Sequence, residues 1–461
     1  MIRATVLRLN ASLLRHQNQW LQEAHHAAAI RPWHSMEQPH RQQHPQKRPS
    51  QQLHQLLPQS LPDQPKPTSA DCNNFVLGFS TPAGAKKKFC EHSCPETVRE
   101  ICHGKVPGWS MRPVQDITVT KLGSGLSNVN YRVTMTSPAV SVPCVLFRVY
   151  GKGISVLYDY TMEFQTFKML SKFQIAPRLY ASDDEWRIEE WHDSIPLPNS
   201  NMCNPSILVQ VAAQLGRLHK ISFKPDFPSE LHAQQPLHVT RLDRWGDAFS
   251  QIARHPKVAG SVARMGVQEM LAEREWLAKF VVEGSSGTSS GLDVVFSHWD
   301  CQENNVLQTP YGLRLIDFEY SGMEHQAFDI ATYFLECTID YLHDEYPYYK
   351  LCLHNFPTET EQRFFCCVYL SEYLGVAVKP EDAAVSVLLE RVQRFTLVSH
   401  LLWAFWSVIR AHQQSMDGGF DYLHFAEARW ALYKQSKDAM LQALQGAGRG
   451  TGSTNRHGDW H

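Results

Sequence analysis

The 461-residue sequence has no uncharged apolar run long enough to cross a bilayer. Its longest, Phe395 to Ile409, spans 15 residues between Arg394 and Arg410 and is interrupted by Ser399-His400. A spanning helix takes about 20 apolar residues, so this run reads as a buried helix. Charge of one sign is equally scarce. With 44 Lys and Arg against 46 Asp and Glu, the net charge is −2, which offers no general attraction to nucleic acid or an anionic membrane. No secretory signal is evident. The 11 cysteines, including the adjacent Cys366-Cys367, are irregularly spaced and form no disulfide framework. Reduced thiols in a cytoplasmic protein are therefore expected. Zinc-ligand residue types gather at Cys90, His92, Cys94, Cys102 and His103, but their spacing fits no standard finger. Ser297, His298 and Asp300 lie too close along one extended loop to act as nucleophile, base and orienter on one another.

What is present is enough apolar material, 43% of residues, for one large bilobal core or two ordinary domains. The first seventy residues differ from the rest, with 12 Gln, 7 His and many Pro, and eight Lys and Arg against three acids. Low hydrophobicity without periodicity predicts disorder there. Met1 to Trp20 mixes Arg3, Arg8 and Arg15 with leucines and no acid. This composition is open to two readings, an organelle presequence or a weakly helical tail, and the tail is preferred because composition mimics such signals easily.

The most informative stretch is Val295 to Leu307 with Leu315 to Tyr320. It places Asp300 and Asn305 in one polar loop between apolar runs, then Asp317 after a further apolar run and the turn at Tyr311-Gly312. The His298-x-Asp300-x4-Asn305 spacing, followed by Ile316-Asp-Phe-Glu319, is how a kinase-type phosphotransferase supplies its hydroxyl-orienting base and its magnesium ligands. Mg²⁺ is a hard cation and prefers the oxygens that Asp and Asn offer. Trp299 stands where protein kinases carry Arg. Upstream, Ile117 to Leu122 and Val129 to Met135 alternate as strands around Gly123-Ser124-Gly125-Leu126-Ser127-Asn128. Strand, glycine turn and strand form a phosphate-covering loop, whereas a P-loop would lead into a helix and carry Gly-Lys-Ser/Thr. The third strand, Val145 to Tyr150, holds one cation, Arg148, in an apolar run. Burying it requires a partner, and Glu163 on a helix predicted over 160–172 is expected to be that partner. A second helix, 205–220, sets Leu208, Val211, Leu215 and Leu218 on one face. Trp403 and Trp406 share a face of a helix around 397–410.

The wording of these motifs, His-x-Asp-Cys-Gln-Glu-x-Asn, Leu-Ile-Asp-Phe-Glu-Tyr, Phe328-Asp329-Ile330 and Glu336-x3-Asp340-Tyr341, resembles the choline/ethanolamine kinase family from about Ile117 to Arg429. The resemblance implies an α+β, protein-kinase-like fold. Its domains would be a Gln/His-rich arm (1–75), an antiparallel-sheet N-lobe (76–190), a helical C-lobe (191–440) and a flexible tail (441–461). It implies transfer of the γ-phosphoryl of ATP to the hydroxyl of choline, with ethanolamine left open as a second acceptor, giving phosphocholine for the CDP-choline route to phosphatidylcholine.

Asp300 is then the base, and Asn305, Asp317 and Glu319 hold Mg²⁺. Ser124, Gly125, Ser127, Asn128, Arg148, Glu163, Glu189, Glu190 and Gln302 serve ATP, with Arg187 to Trp191 joining the lobes. Tyr320, Glu336, Tyr341, Trp403, Trp406 and Phe425 form the acceptor pocket, whose aromatic faces suit a quaternary ammonium. Asp329 and His219 read as structural braces. Cys301-Gln302-Glu303 favours choline, whereas Phe420-Asp421-Tyr422-Leu423 resembles the ethanolamine branch. The alternatives are an ethanolamine-selective kinase, an aminoglycoside-type kinase and an inactive kinase-like binding protein. Homodimerisation is left open.

Overall fold

The computed structural model describes residues 94–122, 128–150, 156–157, 160–283, 294–413 and 419–450. The arm 1–75, the turn residues Ser124, Gly125 and Ser127, and the Gly/Ser-rich segment 284–291 lie outside them.

The N-lobe opens with α1 (Pro95–Lys105). Pro95 is pre-set for a first helical turn, and the Cys94 sulfur accepts from Thr97 N at 3.4 Å. Cys94 is thus a helix cap, and Cys102 sits in the lobe's core beside Val98 and Trp109. The strands β1 (Ile117–Lys121), β2 (Asn128–Met135), β3 (Cys144–Tyr150), β4 (Leu179–Ser182) and β5 (Trp186–Glu190) form one sheet in the order β1-β2-β3-β5-β4. Every neighbouring pair is antiparallel. Alternation sends Val133, Val145, Phe147 and Ile188 into the core. The helix α2 (Tyr160–Lys172) connects β3 to β4, with the bounds its periodicity predicts.

Past β5 the chain enters the C-lobe through β6 (Ile195–Pro196), which pairs with Gln308 and Leu307. Next comes α3 (Pro205–Lys220), begun by the Asn204 cap and Pro205. Its predicted face is fully buried: Leu208, Val211, Leu215 and Leu218 expose nothing, each stabilising the fold by about 1.5–3 kcal/mol. The longer helices that follow are α4 (Leu237–Ile252) and α5 (Val267–Glu283). A layer of short strands then carries the chemistry: β7 (Val294–Ser297), the hairpin β8 (Val306–Thr309) and β9 (Gly312–Leu315), and β10 (Gly322–His325), which pairs with β7. Four helices complete the lobe: α6 (Gln326–Glu336), α7 (Glu359–Leu374), α8 (Ala383–Gln413) and α9 (Tyr422–Gly450). The bilayer-length question is settled locally, since no helix among the described residues is long and apolar enough to cross a membrane. The segment expected as a tail from residue 441 begins as helix. Residues 441–450 continue α9, because Leu, Gln and Ala are strong helix formers that outweigh the glycines.

Candidate active site

The reacting end of the site hangs from Asp329, in the first turn of α6. Its carboxylate accepts from His298 N at 2.6 Å, Trp299 N at 2.8 Å and the ring of His219 at 3.0 Å. Burial alone would raise the pKa of Asp329, but hydrogen bonding and charge from His219 and His298 outweigh it and hold the group below its ordinary value. Asp329 and His219 are therefore the braces the sequence indicated. They pin the loop after β7 while Trp299 adopts φ +76°, a left-handed conformation that bulky residues rarely take. His298 donates from Nε2 to Ile316 O at 2.9 Å and accepts the Asp300 N–H at Nδ1. Both ring nitrogens are thus engaged, so it is a strut rather than a base, and burial lowers its pKa.

Asp300 faces the cleft from this loop. Asn305 donates to both its carbonyl and its Oδ2 at 2.9 Å. The five-residue spacing therefore brings the two side chains together and leaves the Asn305 Oδ1 as a hard oxygen donor. Asp317 follows β9 at φ +64°, a conformation Asp tolerates better than most residues. Burial pushes the Asp300 pKa well up, with Glu336 and then Asp317 adding to the rise. Burial, and then Asp317, do the same to Glu319. Several carboxylates crowded in one partly dry site favour a cation. The all-oxygen set Asn305, Asp317 and Glu319 thus suits Mg²⁺.

On the N-lobe wall, Arg148 is buried as expected but is paired differently. It meets Glu189 at 3.1 Å and Asp317 at 3.2 Å. Glu163 pairs instead with Arg187 at 2.8 Å, and Glu189 also reaches Arg187 at 3.3 Å. The expected Arg148–Glu163 pair is corrected on these grounds. Two arginines on the facing strands β3 and β5 share Glu189, and the second takes the helix glutamate. The guanidinium of Arg187 also lies 4.0 Å over the Phe167 ring. From sequence Arg187 stood only as part of the segment joining the lobes, with no partner assigned, although its i, i+2 spacing from Glu189 puts both on one sheet face.

Asp300, Gln302, Asn305, Asp317, Glu319, Asn128, Arg148, Glu189 and Glu190 line one cleft of about 1090 Å³. Tyr320, Glu336, Tyr341, Trp403, Trp406 and Phe425 line it too. Glu163 stands behind the wall and reaches the cleft only through Arg187. At the aromatic end of the cleft Tyr320 and Trp403 meet edge-on at 5.5 Å, Trp403 and Trp406 at 5.3 Å, and Trp406 and Tyr422 at 5.6 Å. The Trp406 indole N–H donates to the Tyr320 hydroxyl at 2.8 Å. Phe420 and Tyr422 complete this wall. From sequence they stood only as part of a family motif, but aromatics five and three residues before Phe425 were a visible signal. Both carboxylate oxygens of Glu336 are engaged: Oε1 takes Arg429 at 3.2 Å, and Oε2 takes the Tyr341 hydroxyl at 2.8 Å.

A five-stranded antiparallel lobe over a helical lobe, with Asp300, Asn305 and Asp317 on two loops of the cleft between them, defines a protein-kinase-like phosphotransferase. The family model of choline/ethanolamine kinase matches residues 119–434. A human choline/ethanolamine kinase is 28% identical over 373 residues, covering 77% of this chain and 88% of the relative. A probable choline kinase of Arabidopsis thaliana is 31% identical over 303 residues, covering 65% and 80%. The solved structure of a choline kinase from Cryptosporidium parvum superposes with a TM-score of 0.68 at 32% identity, covering 76% of this chain and 96% of that one. The chain belongs to the choline/ethanolamine kinase family, and ATP is its co-substrate.

Proposed function

We propose that this kinase acts on choline in preference to ethanolamine. The observation that carries the reading is the state of Glu336. It is the acid beside the aromatic wall, yet it is buried, its charge is already met by Arg429, and the Tyr341 hydroxyl donates to its other oxygen. A primary ammonium binds well where free acceptors take its N–H groups. A trimethylammonium has no N–H to donate and gains from aromatic faces, about 0.5–2 kcal/mol for each according to how dry the site is. Tyr320, Trp403, Trp406 and Tyr422 offer such faces.

In the reaction, Asp300 orients the choline hydroxyl and takes its proton as the oxygen attacks the γ-phosphorus. The bond to the β,γ-bridging oxygen breaks and ADP leaves. Arg148, held by Glu189, binds phosphate oxygens with charge-assisted hydrogen bonds. Asn305, Asp317 and Glu319 would hold Mg²⁺, which when bound neutralises phosphate charge. The product, phosphocholine, enters phospholipid headgroup synthesis. The cytoplasm, reducing and rich in ATP, suits a chain whose described cysteines are free thiols. Initial rates with both acceptors test the reading. We expect kcat/KM to favour choline by roughly tenfold or more, the equivalent of about 1.4 kcal/mol. Equal values, or preference for ethanolamine, would overturn it.

A further inference from the structure

Trp299 and the residue beneath it are absorbed by neither the phosphate nor the acceptor half of the site. The indole is fully buried. One face stacks on Phe328, with ring centroids 4.1 Å apart and an interplanar angle of 26°. The guanidinium carbon of Arg241, from α4, lies 3.9 Å from the ring centroid. The same guanidinium is 5.4 Å from the Trp245 ring and 5.5 Å from the Tyr320 ring. Its Nη2 donates to the Tyr320 carbonyl at 2.7 Å, while its Nη1 has no hydrogen-bond partner among the described residues. Arg241 is buried, and burial pulls its pKa down to about 9, still well above neutrality. The charges facing it are Glu324 and Asp300, which attract, and Arg244, which repels.

A buried cation held by rings and a single carbonyl is costly unless it performs a task that a hydrocarbon could not. Its two contacts identify that task. Trp299 immediately precedes Asp300 and is the residue with the left-handed backbone. Tyr320 immediately follows Glu319, and its ring meets Trp403 in the acceptor wall. One planar group therefore touches both the loop carrying the base and the loop ending in the metal-site carboxylates.

We infer that Arg241 is a positioning residue that clamps the Asp300 loop to the Asp317–Tyr320 loop through Trp299 and the Tyr320 carbonyl, setting the register between base and acceptor pocket. The inference rests on Asp300 and Tyr320 having the roles given above. A misplacement of about 1 Å at a reacting centre costs roughly a hundredfold in rate, so the clamp should appear in turnover rather than in nucleotide binding.

The test compares Arg241→Met, Arg241→Lys, Trp299→Phe and Asp300→Asn in the full chain. The readouts are melting temperature, ATP-binding stoichiometry, and kcat and KM for ATP and choline. Arg241→Met is expected to lose roughly thirty- to a hundredfold in kcat per ATP-binding site, with the KM for ATP within about threefold of wild type. Arg241→Lys keeps a donor and the charge but cannot lie flat on the indole. It should recover part of the loss and not all of it. A merely structural arginine would give lower melting temperatures with unchanged kcat per ATP-binding site, and that result overturns the inference. Should Arg241→Met fail to fold, Arg241→Lys and Trp299→Phe decide. Reduced kcat with intact ATP binding supports the clamp, and wild-type kcat in both removes it. Activity in Asp300→Asn would instead sink the assignment of the base, a separate outcome that the Arg241 series does not mimic.

Discussion

Asp300 carries a requirement that its neighbours satisfy in different ways. Burial, Glu336 and Asp317 raise its pKa, which makes it a stronger base when ionised, while Asn305 and the braced loop keep it in place. Asp300→Ala should therefore lower kcat by about 10²–10⁴ with ATP binding retained. Comparable turnover in the variant would remove Asp300 from the chemistry. Glu189 is the shared counter-ion of Arg148 and Arg187. Its replacement by Gln leaves two buried guanidinium groups short of charge, which costs roughly 3–5 kcal/mol. A lower melting temperature together with a raised KM for ATP is expected. A raised KM alone would mean that Glu189 acts on nucleotide without supporting the lobe.

Glu303 supplies a pH test. One of its oxygens accepts the Tyr341 N–H, and burial lifts its pKa to about 7. The folded state therefore holds this proton between about pH 4.5 and 7 where the unfolded chain has lost it. The contribution to stability is complete below the lower value and is lost as pH rises through the upper one. Glu303→Gln removes that dependence. Its melting temperature should exceed wild type at pH 8, and the gap should narrow towards pH 4.5. A constant gap across the range would exclude Glu303 as the titrating group.

At the scale of elements, α8 shows why one helix can serve both core and site. The run read from sequence as a buried helix over 397–410 is the central part of a 31-residue helix. Leu401, Leu402 and Phe405 pack into the C-lobe while Trp403 and Trp406 turn towards the cleft. The two tryptophans are not equivalent. Trp403 is only 6% exposed and packs with Trp245, so truncating it costs about 3–5 kcal/mol of stability as well as acceptor affinity. Trp406 is half-buried, which makes Trp406→Ala the cleaner variant. Its KM for choline should rise roughly 5- to 30-fold, as expected for about 1–2 kcal/mol of lost cation–π attraction. The KM for ATP should hardly move, and ethanolamine should suffer less than choline. Equal penalties on the two acceptors would indicate general damage to the pocket instead.

For the molecule as a whole, each contact of the cleft described above joins residues between Asn128 and Arg429, among the described residues of the two lobes. Deleting residues 1–70, whose Gln- and His-rich composition has no apolar periodicity, should leave kcat and both KM values within about twofold. Loss of soluble, active protein would show that the arm packs on the kinase lobes. The sequence by itself determined the parts of the site that are local. Asp300 and Asn305 meet because five residues of one loop bring their side chains together, and Asp317 follows a hairpin whose turn is written at Tyr311-Gly312. The strands β1 to β3 and the buried face of α3 follow from periods of two and 3.6 residues, which are likewise local.

The tertiary structure alone decided which charge meets which. Glu163 pairs with Arg187 rather than Arg148, and Arg429 reaches Glu336 across 93 residues of chain. Arg241 lies beneath Trp299 although no sequence pattern relates α4 to the catalytic loop. The physical reason is that an ion pair or a stacked cation depends on distance and burial, and those are set by how the sheet and helices pack. Neither quantity is encoded in the spacing of the residues that share it.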